Sequence, residues 1–222
     1  MPDKISLNDA RNMMVERQLE RRGIRDPLVL GAMRRVPREM FIPAEYADKA
    51  YEDRPLPIGA GQTISQPYIV ACMIEALALR GGEKVLEIGG GSGYAAAVMA
   101  DIAAQVFTIE RIPELAETAR ANLAAAGVKN ISVRCSDGTD GWPEEAPFDA
   151  ILVSAGAPAE PRTLMEQMKI GGRMAVPIGN DPTEQQLFGV RRMGDDAFEH
   201  TPLTHVRFVP LIGRQGWQPD IL

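Results

Sequence analysis

Three carboxylates and a run of glycines have the types and spacing that suit a ligand site. Glu87 closes one short apolar run, Glu110 closes the next, and Asp137 follows a third. The sequence GGGSGY, residues 89–94, follows the first of these runs. Apolar runs of this length are typical of buried parallel strands. The carboxyl ends of such strands meet at one edge of a sheet, so we expect the three acids to line one cleft.

The glycine run has the form G-x-G-x-G, with Gly89, Gly91 and Gly93. A dinucleotide-binding fingerprint requires Gly or Ala at position 94, where Tyr94 stands. A phosphate-binding P-loop is excluded too, because no Gly-Lys-Ser/Thr follows the run. The loop nevertheless brings bare backbone to a helix N-terminus, where amides and the helix dipole favour an anion.

The acids indicate which ligand the cleft takes. They would repel a phosphate, whereas a cation that carries ribose hydroxyls suits them. S-adenosylmethionine has these features. Its carboxylate can bind to the glycine loop, and its ammonium group can bind to Glu87. Its ribose diol can bind to Glu110, and its adenine amino group can bind to Asp137. The alternative is that the three acids merely cap helix N-termini.

The stretch GAGQTISQPYIVA, residues 59–71, carries no charge but many polar groups. Pro67 suits the first position of a helix, which makes Gln66 the N-cap and leaves Ser65 just outside. Two interpretations remain open for Ser65. Its hydroxyl either caps this helix, because helix boundaries shift by a residue or two, or takes part in chemistry.

These residues require a framework of alternating strands and helices, which the hydrophobic patterns provide. Alternation of this kind predicts an α/β fold with a parallel sheet. The late strands resemble an antiparallel hairpin, and residues 46–61 are predicted to be irregular. Predicted strands cover residues 84–88, 105–110, 130–135, 148–154, 171–178, 185–193 and 205–211. Predicted helices cover residues 9–22, a short stretch capped by Asp26, and residues 67–79, 94–102, 113–126 and 161–168.

Composition narrows the class of protein. The 222 residues include 45% hydrophobic and 24% charged residues, as in a globular protein. No apolar run reaches membrane-spanning length, and the N-terminus has no signal-peptide core. Two cysteines and two histidines argue against a disulfide framework and a zinc site, so we expect cytoplasmic location and no metal.

Charge argues against a nucleic-acid partner. The formal net charge is −6, which does not favour binding to phosphates. Residues 11–38 depart from this average, with eight arginines against three acids. This segment is either a pair of solvated helical faces or a surface that attracts acidic substrates.

Several longer segments resemble one family, the bacterial protein-L-isoaspartate O-methyltransferases, over residues 14–217. TISQP within residues 61–71 is the most specific of them. The others are VLEIGGGSGYAAAVMA (85–100), TIER (108–111), DGTDGWPEEAPFDAILVSA (137–155), GGRMAVPIG (171–179) and the flanking segments 14–43 and 206–217.

The resemblance implies a function and a set of site residues. The expected reaction is methylation of the α-carboxyl of L-isoaspartyl residues by S-adenosylmethionine, which starts their repair through a succinimide. The implied active-site serine is Ser65. The implied cofactor contacts are Thr63, Ile64, Glu87, Gly89, Gly91, Gly93, Glu110, Arg111, Asp137 and Gly138.

The resemblance also implies the architecture, a Rossmann-like class I methyltransferase with a seven-stranded, mostly parallel, doubly wound sheet. We expect one domain, residues 1–222, with an N-terminal helical extension (1–66), a cofactor-binding core (67–180) and C-terminal strands (181–222). The implied state is a monomer without nucleic-acid or membrane partners. Gly90 stands where the family often has Thr, and Ala60 where it often has an aromatic residue or His. SAGAP at residues 154–158 replaces a frequent TAAAP.

Two alternatives remain at this level. The first is a methyltransferase of the same fold that acts on RNA or a small acid, which only the arginine-rich segment favours. The second is a binding module that keeps the cofactor but has lost catalysis.

Overall fold

A seven-stranded sheet lies at the centre of the protein. The structure is a computed structural model in which residues 5–218 are described. A hairpin of β1 (Leu56–Gly59) and β2 (Gln62–Ile64) precedes the sheet in the chain. The sheet itself contains β3 (Lys84–Ile88), β4 (Gln105–Glu110), β5 (Ile131–Cys135), β6 (Phe148–Val153), β7 (Met168–Asp181), β8 (Glu184–Arg192) and β9 (Phe198–Val206).

The strand order in the sheet is β5-β4-β3-β6-β7-β8-β9. Neighbours from β5 to β7 pair in parallel, whereas β7, β8 and β9 pair antiparallel. The predicted mostly parallel sheet with a C-terminal antiparallel hairpin is therefore confirmed. The chain runs outward from β3 in one direction and from β6 in the other. The crevice between their carboxyl ends is the place where such sheets bind ligands.

Helices cover both faces of the sheet. The first helix continues without a break through a π-helical turn (Val15–Leu19) and a 3-10 turn (Glu20–Arg22). Asp26 caps the helix Pro27–Arg35 as predicted, because its carboxylate accepts from the amide of Leu28 at 2.9 Å. None of the helices within residues 5–218 is both long and apolar enough to cross a bilayer. The helices are α1 (Leu7–Met14), α2 (Pro27–Arg35), α3 (Pro67–Leu77), α4 (Tyr94–Ala100), α5 (Pro113–Ala125) and α6 (Arg162–Glu166).

The N-terminal segment packs into the same core as the sheet. Met14, Leu19 and Phe41 are buried in one cluster with Ile74 of α3 and Val85 of β3. A second cluster fills the opposite face of the sheet, around Phe107, Phe148 and Trp142. Trp142 packs edge-on against Phe107, so it covers the core. The division at residues 66 and 180 stays a prediction.

The prediction of irregular backbone over residues 46–61 is wrong in part, because β1 and β2 form a hairpin there. Gly59 pairs with Gln62, which leaves Ala60 and Gly61 as a two-residue turn. Both turn residues have positive φ, 49° and 70°. Positive φ at both positions is the geometry that joins two twisted strands most tightly. The hairpin places Thr63 beside the end of the sheet.

The prediction of a strand over residues 205–211 is also wrong beyond Val206, where β9 ends. The amide of Phe208 donates to Oε1 of Gln185 at 2.8 Å instead of continuing the ladder. Leu211 then pairs with Gly156, its amide donating to the carbonyl at 2.8 Å. Residues 207–211 therefore leave the sheet and cross toward the loop that follows β6.

Candidate active site

A cleft opens at the carboxyl ends of β3, β4 and β6 and contains a cavity of about 200 Å³. The glycine loop after β3 forms one wall, and the residues at the end of β4 form another. The predicted site residues in its wall are Thr63, Gly89, Gly91, Glu110, Arg111 and Gly138. A smaller recess next to it is lined by Ile64, Ser65 and Glu87. Gly93 is the last residue of the glycine loop. It is the N-cap of α4 and has a φ of 91°.

Glu87 is a carboxyl group shut away from water, with 1% of its surface exposed. Thr108 Oγ1 donates to its Oε2 at 2.6 Å. Burial raises the pKa of Glu87 to about 8, the Thr108 hydrogen bond opposes this rise, and the charge of Glu110 adds to it. Without a positive charge beside it, the side chain is therefore mostly protonated at neutral pH. A buried carboxyl in this state suits a cationic ligand, which would favour its ionised form.

Glu110 holds the glycine loop against β4. Its Oε2 accepts from the amide of Gly91 at 2.8 Å, and its Oε1 accepts from the amide of Ile112 at 2.9 Å. Ile112 is the N-cap residue of α5, and no side chain caps this helix, so the capping interpretation does not apply to Glu110. A carboxylate has about four acceptor sites, and two remain for the hydroxyls of a ligand.

Asp137 is engaged by protein groups. Its Oδ1 accepts from the amide of Thr139 at 2.9 Å, and its Oδ2 accepts from the amide of Arg214 at 2.8 Å. Partial burial acts against ionisation of Asp137, but these hydrogen bonds outweigh it and hold its pKa below the usual range. The structure thus uses the carboxylate as a cap and as an anchor for the C-terminal segment. Its contact with adenine stays a prediction, and Gly138, not Asp137, lines the cavity.

Gly90 leaves room for the hydroxyl that holds Glu87. A Cβ atom at this position would overlap Thr108 Oγ1 and lie 3.7 Å from Glu87 Oε2. Gly90, which stands where the family often has Thr, therefore fits the position of the Thr108 side chain in this protein. Thr108 occupies the space that a side chain at position 90 would take.

A second cavity, of about 320 Å³, lies beside the first. Ser65, Gln66 and Ile69 line one side of it, and residues 205–209 line the other. Thr63 and Ser154 belong to the walls of both cavities. The two cavities are therefore adjacent, and Val209 is the third residue that lines both.

The Ser65 side chain is not the cap of α3. Gln66 occupies the N-cap position, and no side-chain hydrogen bond caps this helix. Within residues 5–218, no hydrogen bond from or to the Ser65 hydroxyl is formed. The Ser65 hydroxyl is thus available to a molecule in the second cavity, which favours the chemical interpretation over the capping one.

Sequence reasoning missed Thr108 and Ser154. Ser154 directly follows β6, so the strand-end rule that identified the three acids could have found it. Thr108 gave no signal, because its partner Glu87 is on another strand. Within residues 5–218 there is no cluster of His, Cys, Asp and Glu side chains suited to a metal ion.

Much of the basic N-terminal segment is paired within the protein. Arg34 contacts Glu20 at 2.6 Å, and Arg35 contacts Asp101 at 2.5 Å. Arg22 contacts Asp53 at 2.8 Å. This pattern favours solvated, locally neutralised helical faces over a surface that attracts acidic substrates.

The fold and the site together define a class of protein. The protein combines a doubly wound sheet, a glycine loop after β3 and acids at the ends of β3 and β4. This combination is that of a Rossmann-like methyltransferase. Residues 9–216 match the family model described as protein-L-isoaspartate(D-aspartate) O-methyltransferase (PCMT). The chain belongs to this family.

Relatives and solved structures agree with this assignment. The chain is 56% identical to protein-L-isoaspartate O-methyltransferase 2 of Marinobacter nauticus, over 97% of this chain and 98% of the relative. It is 58% identical to protein-L-isoaspartate O-methyltransferase 1 of Rhodopseudomonas palustris, over 97% and 88% of the two chains. A solved protein-L-isoaspartate O-methyltransferase superposes with a TM-score of 0.82 at 32% identity, over 93% of this chain and 67% of the other.

A Plasmodium falciparum protein-L-isoaspartate O-methyltransferase, solved with S-adenosyl-L-homocysteine, superposes with a TM-score of 0.77. Its sequence is 27% identical, and the match covers 90% of this chain and 96% of that one. The predicted seven-stranded methyltransferase fold is thus confirmed over almost the whole chain.

Proposed function

We propose that this protein transfers a methyl group from S-adenosylmethionine to the α-carboxyl of L-isoaspartyl residues in damaged proteins. The ester starts a repair that proceeds through a succinimide. One observation supports the proposal beyond family membership: the two cavities share Thr63, Ser154 and Val209 in their walls, so a donor in one cavity would lie next to an acceptor in the other. Proteins with isoaspartyl residues are the substrates.

The first cavity and its recess suit the cofactor because they combine loop amides with a buried acid. When bound, S-adenosylmethionine supplies an activated methyl group on a sulfonium. The loop amides would bind its carboxylate, Glu87 its ammonium group and Glu110 its ribose. The full proposed set is Thr63, Ile64, Glu87, Gly89, Gly91, Gly93, Glu110, Arg111, Asp137 and Gly138.

The chain's own residues orient the reaction and do not activate a nucleophile. The acceptor carboxyl is already ionised at neutral pH, so no general base is needed. Orientation of well-held reactants supplies on the order of 7 to 11 kcal/mol. Ser65 is the proposed catalytic residue, whose hydroxyl donates to one carboxylate oxygen and aims the other. A neutral donor holds the acceptor less tightly than an arginine would.

An extended substrate chain suits the second cavity. Residues 205–209 form its outer wall at the point where β9 ends. Exposed backbone at the end of a strand can pair with a peptide. The amides of Phe208 and Leu211 and the carbonyl of Val209 are already bound within the protein, which directs this pairing to the remaining backbone groups of residues 207–211.

The test is incubation with labelled S-adenosylmethionine and two peptides that differ only in Asp or isoAsp at one position. We expect label in the isoAsp peptide alone, as a base-labile ester. Equal labelling of both peptides, or of neither, would contradict the proposal. A structured RNA and a small dicarboxylic acid in parallel reactions test the other acceptor classes.

We also propose that the protein acts as a monomer in the cytoplasm, without nucleic-acid or membrane partners. The internal ion pairs of the N-terminal arginines support this. Sedimentation analysis at several protein concentrations tests the monomer.

A further inference from the structure

Arg38 is a fully buried arginine, with 0% of its surface exposed. It begins the 3-10 helix Arg38–Phe41 in the N-terminal segment. Buried guanidinium groups are normally paired with a carboxylate. In the part of the chain that the structure describes, Arg38 forms no ion pair, and its Nη1 has no hydrogen-bond partner. Such a costly arrangement requires a reason.

The guanidinium connects three separate parts of the chain. Its Nε donates to the carbonyl of Ala50 at 2.9 Å, and its Nη2 donates to the carbonyl of Ser65 at 2.8 Å. Its central carbon lies 4.8 Å from the ring centroid of Tyr94. Tyr94 is the first residue of α4 and directly follows the glycine loop. Arg38 thus contacts both the acceptor side and the cofactor side of the site from behind.

Ser65 lies between Ile64, which pairs with Leu56 in the β1–β2 hairpin, and Pro67, which begins α3, and the bond from Arg38 is made to Ser65 itself. The helix that follows it has no side-chain cap, and the Ser65 hydroxyl forms no hydrogen bond within residues 5–218. The position from which the hydroxyl reaches the cavity therefore depends on the backbone that carries it. The bond from Arg38 is directed at the Ser65 carbonyl itself.

We propose that Arg38 is a positioning residue that fixes the backbone of Ser65 relative to the glycine loop, and so aims the Ser65 hydroxyl. This inference rests on the proposed role of Ser65. Arginine suits the task because its planar head donates in two fixed directions at once. A lysine has one nitrogen and cannot hold Ala50 and Ser65 in the same geometry.

The test compares Arg38→Met, which keeps most of the volume, with Arg38→Lys, which keeps the charge. Phe41→Leu is the matched control, because Phe41 is buried in the same 3-10 helix and also packs on Tyr94, with ring centroids 5.7 Å apart. We expect kcat for an isoAsp peptide to fall roughly 10- to 100-fold in both Arg38 variants, since misplacement of about 1 Å costs this much. The Kd for S-adenosylhomocysteine should change by less than about 3-fold.

A double-mutant cycle with Ser65→Ala separates positioning from general destabilisation. If Arg38 acts through Ser65, Arg38→Met should lower kcat by less than about 3-fold once Ser65 is already alanine. Phe41→Leu should have the same effect on kcat in both backgrounds. Equal effects of Arg38→Met in both backgrounds would overturn the proposal.

Hydrogen exchange gives a readout that does not depend on activity. We expect amides in residues 62–70 to exchange faster in the Arg38 variants than in Phe41→Leu, while β4 stays protected in all of them. Unchanged exchange in residues 62–70 would overturn the inference even if the enzyme is active. A wild-type protein that fails to methylate the isoAsp peptide would instead contradict the proposed function, and the exchange experiment would still test Arg38. If Arg38→Met does not fold, Arg38→Lys carries both measurements.

Discussion

Glu87 is an acid whose charge depends on what lies beside it. It is buried at the end of β3, its hydrogen bond from Thr108 is 2.6 Å long, and its pKa is raised to about 8. The unfolded chain would ionise the same group near 4.5. The folded protein without a ligand therefore holds a proton that the unfolded chain has lost at neutral pH.

This difference predicts how stability depends on pH. Between about pH 4.5 and about pH 8 the unfolded state loses the proton of Glu87 while the folded state keeps it, so stability falls as pH rises through this window. The contribution of one group is about 1.4 kcal/mol per pH unit at most. We expect denaturant unfolding from pH 5 to pH 8 to show this slope for the wild type relative to Glu87→Gln, which cannot titrate. Parallel curves for the two proteins would show that Glu87 is ionised in the fold.

Ser65 allows the most direct test of a single group. We expect Ser65→Ala to lower kcat roughly 10- to 100-fold, because a hydrogen bond to a charged group contributes about 1.5–3 kcal/mol. The Kd for S-adenosylhomocysteine should stay within about 2-fold, since the proposed role of the hydroxyl is toward the acceptor. Thr118→Ala is the control, because that exposed hydroxyl bonds only to Glu114 of its own helix. Full activity of Ser65→Ala would remove the serine from the mechanism.

At the level of elements, the buried strands could be predicted and the site's outer walls could not. The runs that became β3, β4 and β6 are mostly apolar, as is typical of strands covered on both faces. The β1–β2 hairpin was not predicted because its turn is Ala60-Gly61 and not the more usual Asn-Gly. Residues 207–211 continue an apolar run that predicts a strand, but their backbone pairs with Gly156 in the loop after β6.

The candidate site could be predicted where its residues lie at the ends of strands. Strand ends located Glu87 and Glu110, because parallel strands bring their carboxyl ends together whatever their sequence. Asp137 was located by the same rule. Its carboxylate also accepts a hydrogen bond from the amide of Arg214, 77 residues along the chain, and the sequence around Asp137 does not predict this bond. Contacts of this kind depend on how the C-terminal segment folds back.

The turn of the β1–β2 hairpin carries strain that a substitution can relieve. Ala60 has a φ of 49°, a left-handed conformation that costs a residue with a Cβ about 1–2 kcal/mol. Asn tolerates this conformation better, so we expect Ala60→Asn to stabilise the protein by about 0.5–1 kcal/mol. Ala60→Val should destabilise it, because β-branched residues fit poorly at positive φ. Thermal unfolding of the three proteins checks the order, and equal stability would show that the turn adapts freely.

At the scale of the whole molecule, an N-terminal and a C-terminal segment of the described residues converge on the candidate site. The N-terminal segment reaches it through Arg38, and the C-terminal segment crosses it from the other side. Nε1 of Trp217 donates to the carbonyl of Gly156 at 3.0 Å, and the amide of Gln215 donates to Thr139 Oγ1 at 3.2 Å. Residues 209–212 line the first cavity on the way. The C-terminal segment therefore covers the proposed cofactor site.

This cover predicts a kinetic effect on cofactor release. Trp217→Ala removes the hydrogen bond to Gly156 together with a half-buried ring, which should loosen residues 211–217. We expect S-adenosylhomocysteine to dissociate roughly 10-fold faster, which corresponds to a loss of about 1.4 kcal/mol and is the usual size for a bond and its packing. The association rate should change little, since most affinity differences between variants of one site lie in dissociation. Stopped-flow displacement measures both rates, with Gln218→Ala as the control from the same segment. Unchanged dissociation in Trp217→Ala would mean that the glycine loop and Glu110 retain the cofactor without the C-terminal cover.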